Sequence, residues 1–240
     1  MSLSVVIPCK NEEETIENTI FSINKKLVNQ NIKFEILAID DFSTDNTKQK
    51  ISKICHKNLN VKLIENTKMG LGGAITLGIK SANNKYLSIM MADLSDDTDD
   101  LIKYYELIQK SDLDAIFGSR FNKDSKVVDY PKLKYFLNRI FNFVVRVIFF
   151  SRFNDFTNAF KIYKVETLKH LMPIVSENFN IFLELPLKII SRGYCYNIIS
   201  INWYNRKKGE SKFKIKELTS KYIFTLIYCF LEKNLLRKRK

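Results

Sequence analysis

Carboxylates follow two apolar segments of the chain, at the points where those segments end. Asp40 and Asp41 come directly after the run that begins at Phe34, and Asp93 follows the run that begins at Tyr86. Helix capping does not explain an aspartate placed there, and its carboxylate can accept hydrogen bonds from a ribose or a base. Carboxylate oxygens are also the ligands that Mg²⁺ and Mn²⁺ prefer. The pattern predicts a site in which Asp40 contacts a nucleoside and Asp93 a divalent cation.

The next two aspartates and a glycine cluster are weaker evidence for a binding site. Asp96 and Asp97 are expected to begin the next helix, where the helix dipole favours negative charge, and a contact with the cation is the alternative for them. Gly70–Gly73 resembles a phosphate-cradling loop, but it lacks the GxGxxG spacing and the GxxxxGK[ST] pattern. We interpret this loop as one that lets the backbone approach a neighbouring segment closely.

The second half of the chain has further polar positions in unusual surroundings. Residues 206–212, with the sequence RKKGESK, follow an apolar strand and are predicted to bind phosphate, since arginine contacts phosphate oxygens bidentately. A solvated surface loop is the alternative interpretation. Asp155 and Glu184 lie inside apolar stretches, where a carboxylate needs a partner. A structural ion pair and a substrate contact are both open for them.

The elements that must position these residues alternate between strands and helices in the first half. Helices are expected from Asn11 to about Lys26, with Asn11 and Glu14 as the capping pattern, and over Ala74–Ala82 and Asp97–Gln109. Such alternation predicts a parallel α/β sheet whose ligands bind at the carboxyl ends of the strands. The predicted strands are Leu3–Pro8, Phe34–Asp40, Val61–Glu65, Tyr86–Asp93 and Ala115–Ser119.

Two apolar segments dominate the second half, Phe136–Phe150 and Tyr222–Leu231. Both are shorter than the roughly 20 residues that a membrane-spanning helix needs. Their wide apolar faces flanked by Lys and Arg favour helices that lie in a membrane interface. Ordinary helices that pack on the core are the alternative.

Composition excludes several classes of protein. Of 240 residues, 45% are hydrophobic, which excludes a disordered chain, and the four cysteines form no CxxC pair, which argues against a zinc site. Residues 1–120 hold 15 Lys/Arg and 17 Asp/Glu, whereas residues 121–240 hold 24 and 9. The strongly basic second half favours phosphate-bearing partners. Aromatic and basic residues are not interleaved as in an RNA-binding motif, so no nucleic acid is expected. The N-terminus has no basic region typical of a signal peptide.

Taken in order, the segments of the chain resemble those of the family 2 glycosyltransferases, of the dolichol- or polyprenyl-phosphate mannosyltransferase type. The matching segments are VVIPCKNEEETI, AIDDFSTDNT, KMGLGGAITLGIKSA, MMADLSDD, GSRF, DFTNAFKIYK, FLELPLKIISRGY and RKKGESK. The resemblance implies a GT-A fold, with a mostly parallel mixed sheet flanked by helices, and inverting transfer from a nucleotide-sugar. It implies a catalytic domain over residues 1–215, divided near residue 120 into nucleotide-binding and acceptor halves. Residues 216–240 would form an amphipathic basic helix and tail.

The resemblance also implies roles for individual residues. The nucleotide-sugar would contact Pro8, Glu12, Asp40, Asp41, Gly70 and Asp93. A divalent cation, Mg²⁺ or Mn²⁺, would be held by Asp93 and Ser95. The acceptor phosphate would contact Arg120, Arg139, Arg206, Ser211 and Lys212. Catalysis would depend on Asp93, Arg120, Arg206 and Lys212.

The chain departs from the family pattern at three positions. Met91 stands where the family usually has the first aspartate of Asp-x-Asp, and Ser95 stands where the lipid-phosphate enzymes usually have glutamine. Phe42 replaces the glycine of Asp-Asp-Gly-Ser. A metal site with one protein carboxylate remains workable, because the diphosphate of the donor supplies further oxygens.

The expected activity is transfer of a hexose from GDP-mannose or UDP-glucose to a polyprenyl or dolichyl phosphate. We expect a peripheral enzyme on the cytoplasmic face of a membrane, with no spanning segment. A saccharide hydroxyl as acceptor is the alternative, and it would need Asp155 or Glu184 as general base. A non-catalytic basic module that binds lipid or nucleotide is a third interpretation. A sugar nucleotidyltransferase is disfavoured, because Cys9–Glu12 is not glycine-rich.

Overall fold

The computed structural model describes residues 2–57, 60–205 and 215–235, with side chains omitted for 215–219. Its centre is a seven-stranded sheet with strand order β3-β2-β1-β4-β7-β5-β8. These strands are β1 (Ser2–Cys9), β2 (Lys33–Asp40), β3 (Val61–Glu65), β4 (Tyr86–Ile89), β5 (Ala115–Ser119), β7 (Lys161–Lys164) and β8 (Tyr196–Ser200). A separate two-stranded sheet pairs β6 (Val127–Val128) with β9 (Trp203–Tyr204).

Eight helices accompany the strands in the described part of the chain. They are α1 (Ile16–Asn29), α2 (Thr47–Cys55), α3 (Leu71–Ser81), α4 (Thr98–Gln109), α5 (Lys132–Phe149), α6 (Val165–His170), α7 (Ile181–Ser191) and α8 (Ile215–Leu235). One buried apolar cluster joins the sheet to α3, α5 and α7, and a second joins it to α1 and α4. The sheet is therefore covered on both faces.

The direction of the strands brings the polar loops together. β1 pairs in parallel with β2 and β4, and β5 pairs in parallel with β8. β7 is antiparallel to both of its neighbours, β4 and β5. Six of the seven strands therefore run the same way and end at one edge of the sheet, which confirms the predicted mixed, mostly parallel sheet.

Four of the five predicted strands agree with the structure to within one residue, but β4 ends at Ile89 rather than at Asp93, and two helices begin at other residues than predicted. β3 and β5 have the predicted bounds, whereas α1 begins at Ile16 rather than at Asn11. Asn11 has a φ of 49°, and its side-chain oxygen accepts the amide of Thr44. The expected capping pattern is wrong because Asn11 contacts the loop after β2 instead of its own helix. α3 also begins early, at Leu71, within the glycine loop.

α5 and α8 bury both apolar and polar side chains, among them Val145 and Tyr222, and they also expose large apolar side chains. In α5, Asn142 is buried while Phe143 is 64% exposed. In α8, Thr225 and Glu232 are buried while Phe224 is 60% exposed. Several large apolar side chains exposed on one helix favour an interaction surface. No helix in the described ranges combines the length and the apolar character needed to cross a membrane.

Candidate active site

The loops after β1 and β2 are bonded to each other at the carboxyl edge of the sheet. The amide of Asn11 donates to the hydroxyl of Ser43 (3.0 Å), and the amide of Glu12 donates to that of Thr47 (2.8 Å). Pro8 is buried in β1 just before this loop. The backbone around Pro8 and Glu12 is thus fixed by partners from a different strand.

Asp40 and Asp41 have different surroundings although they are adjacent and both buried. Asp41 Oδ1 accepts the amide of Gly70 (2.8 Å) and the side-chain amide of Asn66 (2.7 Å). Asp40 Oδ2 accepts the amide of Ser43 (3.4 Å), whereas Asp40 Oδ1 is buried with no hydrogen-bond partner among the described residues. Asp41 holds the glycine loop, and Asp40 keeps a free acceptor beside it.

The glycine loop packs backbone against backbone, as predicted. The amide of Gly72 donates to the carbonyl of Glu177 (2.9 Å). A Cβ built on Gly72 would lie 1.9 Å from the carbonyl oxygen of Ser176, so a larger residue would collide there. Gly70 has a φ of 116°, a conformation that favours glycine.

Glu184 of α7 holds the segment that the glycine loop contacts. Its fully buried carboxylate accepts the amides of Val175 (3.0 Å) and Ser176 (2.7 Å), and Lys188 lies 2.8 Å away as its ion-pair partner. Of the two interpretations left open for Glu184, the structure shows the structural ion pair.

Three acidic residues after β4 have distinct partners. Asp93 is buried, and its Oδ1 accepts the amide of Ser95 (3.1 Å). Asp97 caps α4 by accepting the amide of Asp99 (2.8 Å), as predicted. Asp96 does not join the helix: its Oδ2 accepts the amide of Met91 (3.2 Å). Burial and then the nearby Asp93 carboxylate raise the pKa of Asp96 to about 7.

β9 runs beside the loop after β4, residues 93–97, which we call the acidic loop. The amide of Tyr204 donates to the carbonyl of Ser95 (3.1 Å), and Trp203 forms an isolated bridge with Asp96. The predicted phosphate-binding residues Arg206, Ser211 and Lys212 come next in sequence, and they lie outside the described residues. β9, which is bonded to the acidic loop, therefore directly precedes this basic segment in sequence.

Arg120 follows β5 at the same edge and is buried against Asp155. Its Nε and Nη2 donate to the two carboxylate oxygens at 2.8 and 2.7 Å. Burial opposes the charge of Arg120, but the Asp155 carboxylate outweighs it and raises the pKa of the guanidinium. The Tyr130 and Trp203 rings lie within 6 Å of the guanidinium carbon. Arg139 of α5 lies over the Phe121 ring, 4.5 Å from its centroid.

Lys161 is a buried cation at this edge that the sequence analysis missed. Its Nζ donates to the carbonyls of Phe156 (3.3 Å) and Asn158. Burial lowers the pKa of Lys161 to about 7. A lysine inside the apolar run Ala159–Tyr163 was the available signal.

The comparison with known families identifies the family of the chain. Residues 4–172 match the model of glycosyl transferase family 2. The chain belongs to this family. Its strand-end carboxylates and glycine loop lie in the matched region.

Curated relatives of this family 2 glycosyltransferase include enzymes named for lipid phosphates. The dolichol-phosphate mannosyltransferase of Pyrococcus furiosus is 30% identical over 228 residues, covering 91% of this chain and 61% of that protein. Glycosyltransferase AglD of Haloferax volcanii is 26% identical over 88% of the chain and 34% of that protein. The dodecaprenyl-phosphate galacturonate synthase of Rhizobium johnstonii is 24% identical over 71% and 50%. The chain thus spans 34–61% of the length of these relatives.

Solved structures share the fold of this family 2 glycosyltransferase. Glucosyl-3-phosphoglycerate synthase from Mycobacterium tuberculosis, in complex with Mn²⁺, uridine diphosphate and phosphoglyceric acid, matches with a TM-score of 0.71 at 15% identity. The match covers 97% of this chain and 78% of that chain. The same enzyme with uridine diphosphate matches with a TM-score of 0.69 over 98% and 81%. These likenesses show that the chain has the GT-A fold.

Proposed function

We propose that this glycosyltransferase moves a hexose from a nucleotide-sugar, with GDP-mannose and UDP-glucose as leading donors, to a polyprenyl or dolichyl phosphate at a membrane surface. The observation that carries the proposal is the outward apolar face of α5 beside the buried Arg120. Asn138 of α5 donates to the hydroxyl of Tyr130 (3.1 Å), whose ring lies against Arg120. A lipid that enters along α5 would bring its phosphate to the carboxyl edge of the sheet.

The donor nucleotide would bind where the first two loops meet. Asp40 Oδ1 is a buried acceptor without a partner among the described residues, and it suits a ribose hydroxyl or a base N–H. Pro8 and Glu12 would line the same place, since Glu12 is fixed to the loop after β2. Asp41 and Gly70 would act by shaping the loop, because they are bonded to each other.

The donor set at the acidic loop suits a hard divalent cation. The carboxylate of Asp93 and the hydroxyl of Ser95 are oxygen ligands of the type that Mg²⁺ and Mn²⁺ prefer. When bound with a nucleotide-sugar, such an ion neutralises charge on the diphosphate leaving group. Asp93 would hold the ion, and the Tyr204–Ser95 contact would keep the loop in place.

The type of acceptor is argued from the two carboxylates that could act as a general base, since both are held in ion pairs. Asp155 is paired with Arg120, and Glu184 is paired with Lys188. A lipid monophosphate needs no protein base, because its second pKa is about 6 and it is largely a dianion at neutral pH. Its oxygen can attack the anomeric carbon in line, with the nucleoside diphosphate leaving from the opposite face. Arg120, Arg139, Arg206, Ser211 and Lys212 would bind the acceptor phosphate, and Arg206 and Lys212 would also stabilise the leaving group.

The membrane surface is the partner that the outward faces of α5 and α8 suit. The two helices touch through Phe141 and Tyr222, whose ring centroids are 5.5 Å apart. Bilayer interfaces accept such faces, and nearby Lys and Arg add attraction to anionic lipid. We infer a peripheral enzyme on the cytoplasmic side, where nucleotide-sugars are available. Residues 1–215 would form the catalytic domain, and the basic residues 216–240 would bind the membrane surface.

Label transfer tests this function directly. Purified protein is incubated with polyprenyl phosphate and labelled GDP-mannose or UDP-glucose, with Mg²⁺ or Mn²⁺, and the lipid is extracted. Acid-labile label in the lipid phase is expected and would identify the donor. Label in a saccharide product but none in lipid would instead favour a hydroxyl acceptor.

A further inference from the structure

The glycine loop rests on a backbone segment just before α7, residues 175–177, which we call the supporting segment. The amide of Gly72 donates to the carbonyl of Glu177 (2.9 Å), and a Cβ built on Gly70 would lie 2.6 Å from the same oxygen. Gly70 is in turn bonded to Asp41 just after β2. Because the two backbones are in direct contact, a shift of the supporting segment must shift the loop beside the proposed donor site.

A buried group of three polar side chains holds the supporting segment to α8. The side-chain amide of Asn180 donates to the hydroxyls of Thr225 (2.9 Å) and Ser176 (2.9 Å), and the two hydroxyl oxygens are 3.4 Å apart. Thr225 is fully buried, and Asn180 and Ser176 are each 4% exposed. The Thr225 hydroxyl donates its proton to the carbonyl of Lys221 (2.9 Å), so it serves Asn180 as an acceptor. Buried polar groups need such partners, so Thr225 and Asn180 restrict the position of Ser176.

Packing alone does not require a threonine at position 225. Tyr222–Leu231 is apolar except for this residue, and its neighbours Ile223, Phe224 and Ile227 are 50–60% exposed. A valine of the same shape would need no hydrogen-bond partner when buried. The Thr225 hydroxyl lies inward, against the supporting segment, while these apolar neighbours lie outward. Its contact with Asn180 therefore explains why a hydroxyl is present there.

A second polar contact between α7 and α8 lies at the other end of α7. Glu232 Oε1 accepts Nε of Arg192 (2.6 Å), and Glu232 Oε2 lies 3.9 Å from Nζ of Lys188. This contact also fastens α8 to α7, but its partners lie at the C-terminal end of α7. The two contacts can be altered one at a time, which separates a specific effect on the supporting segment from a general loosening of α8.

We propose that Thr225 is a positioning residue for the donor site. It acts through Asn180 and Ser176, which hold the supporting segment against the glycine loop, and it touches no substrate itself. Without its hydroxyl the segment and the loop are less firmly held, and binding of the nucleotide must then include the cost of ordering them. The inference rests on the proposed function, because it concerns the site assigned there to the nucleotide-sugar. α8 thus supports the donor site with one side chain while its outer face is the proposed membrane surface.

The nucleotide affinity of the purified protein tests this role. Thr225→Val keeps the shape of the side chain but removes the acceptor, and it is expected to weaken binding of GDP or UDP in calorimetric titration by about three- to tenfold. In the label-transfer assay the KM for the nucleotide-sugar should rise by the same factor, with kcat within about twofold of the wild type. Thr225→Ser keeps the hydroxyl and should restore the wild-type affinity. Unchanged affinity in Thr225→Val would overturn the role.

Glu232→Gln is the matched control. It weakens the other contact between α7 and α8, keeps an oxygen for Arg192, and leaves Lys188 paired with Glu184. The melting temperature should fall, as in Thr225→Val, whereas the nucleotide affinity should stay within about twofold of the wild type. An equal loss of affinity in both variants would show a general loosening of α8 and would remove the specific role of Thr225.

A double-mutant cycle shows whether Thr225 acts through Asn180. Asn180→Ala alone should weaken nucleotide binding at least as much as Thr225→Val does. Adding Thr225→Val to Asn180→Ala should then weaken binding no further, because the hydroxyl has already lost this partner. Additive losses would mean that the two residues act independently, and they would contradict the proposal.

The outcomes separate the role of Thr225 from the proposed function. Lipid labelling by the wild type together with unchanged nucleotide affinity in Thr225→Val would remove the role of Thr225 and leave the function standing. Nucleotide affinity that depends on Thr225, without any lipid labelling, would support the role and remove the proposed acceptor.

Discussion

Asp155 accepts three hydrogen bonds from a single residue, Arg120. The backbone amide of Arg120 donates to Oδ2 (2.9 Å), Nε donates to the same oxygen, and Nη2 donates to Oδ1. Asp155 is fully buried and Arg120 nearly so. The pair joins the end of β5 to the segment before β7.

Breaking this pair is expected to cost more stability than removing it whole. Asp155→Ala leaves a buried guanidinium unpaired and should lower the free energy of unfolding by about 3–5 kcal/mol. The double variant Arg120→Met/Asp155→Leu should lose less, because no charge remains buried. Urea unfolding measures both. A smaller loss in the single variant than in the double would contradict the interpretation of Asp155 as the partner of Arg120.

Asp40→Asn should separate nucleotide affinity from stability. Because Oδ1 of Asp40 has no partner in the described structure, the unfolding free energy should change little. Nucleotide binding should weaken by about tenfold, the loss of one hydrogen bond to a charged group. Asp41→Asn is the comparison: it perturbs the bond to Gly70 and should lower the melting temperature. Calorimetric titration with GDP and UDP gives the affinities, and equal affinity in wild type and Asp40→Asn would argue against a nucleoside contact.

Gly72→Ala should disturb the site through the backbone. The new methyl group would overlap the Ser176 carbonyl, so the loop or residues 176–177 must move. We expect a loss of about 1–3 kcal/mol in stability and a higher KM for the nucleotide-sugar. Gly193→Ala is the control. Its φ of 76° imposes strain of about 1–2 kcal/mol, but no atom lies within 4 Å of the new methyl group. It should lower stability with KM unchanged.

Phe143→Ser and Phe224→Ser should weaken binding to vesicles of phosphatidylcholine and phosphatidylglycerol. Each removes an exposed ring from α5 or α8, and we expect about tenfold weaker binding per substitution, since burying a phenylalanine contributes about 1.5–3 kcal/mol. Phe21→Ser is the control, because Phe21 is 66% exposed on α1. Sedimentation with vesicles measures the binding. An equal effect in all three variants would show that these two helices are not the membrane-facing surface.

Glu35 should contribute an acid-sensitive part of the stability. Burial alone would raise the pKa of Glu35, but hydrogen bonds from the Asn83 amide, Lys62 and Ser4 outweigh it and lower the pKa. The carboxylate therefore stabilises the fold above its unfolded pKa, and that contribution is lost as the pH falls through the folded pKa. Glu35→Gln should reduce stability by about 1–2 kcal/mol near pH 7. Its unfolding free energy should also depend less on pH below about 4.5.

The sheet and its polar edge were predictable from sequence, because buried strands leave a continuous apolar run. Ala115–Ser119, which is fully buried, has the predicted bounds for this reason. Val61–Glu65 also has the predicted bounds, although only Val61 of its five residues is buried. The start of α1 was not predictable, since Asn11 has the pattern of a cap but bonds to Thr44 across the site. Local spacing contains no information about such a partner 33 residues away.

The sequence predicted which residues lie at the site, but not how their side chains are arranged. Strand ends identified Asp40, Asp93 and Arg120 as neighbours on one edge. The sequence could not show that Arg120 is bonded to Asp155, or that Asp96 turns back while Asp97 caps the helix. These choices depend on side-chain directions that only the packed loop determines.

The place of β7 in the sheet has a consequence for how the chain is made. When residues up to Ser119 have left the ribosome, β1 to β5 are available to fold, but the strand that joins β4 to β5 is still missing. Until Lys161–Lys164 emerges, both β4 and β5 have an unpaired edge that can bind other extended chains. The centre of the sheet is therefore completed late in synthesis, and exposure of these edges to other chains lasts until β7 pairs with them.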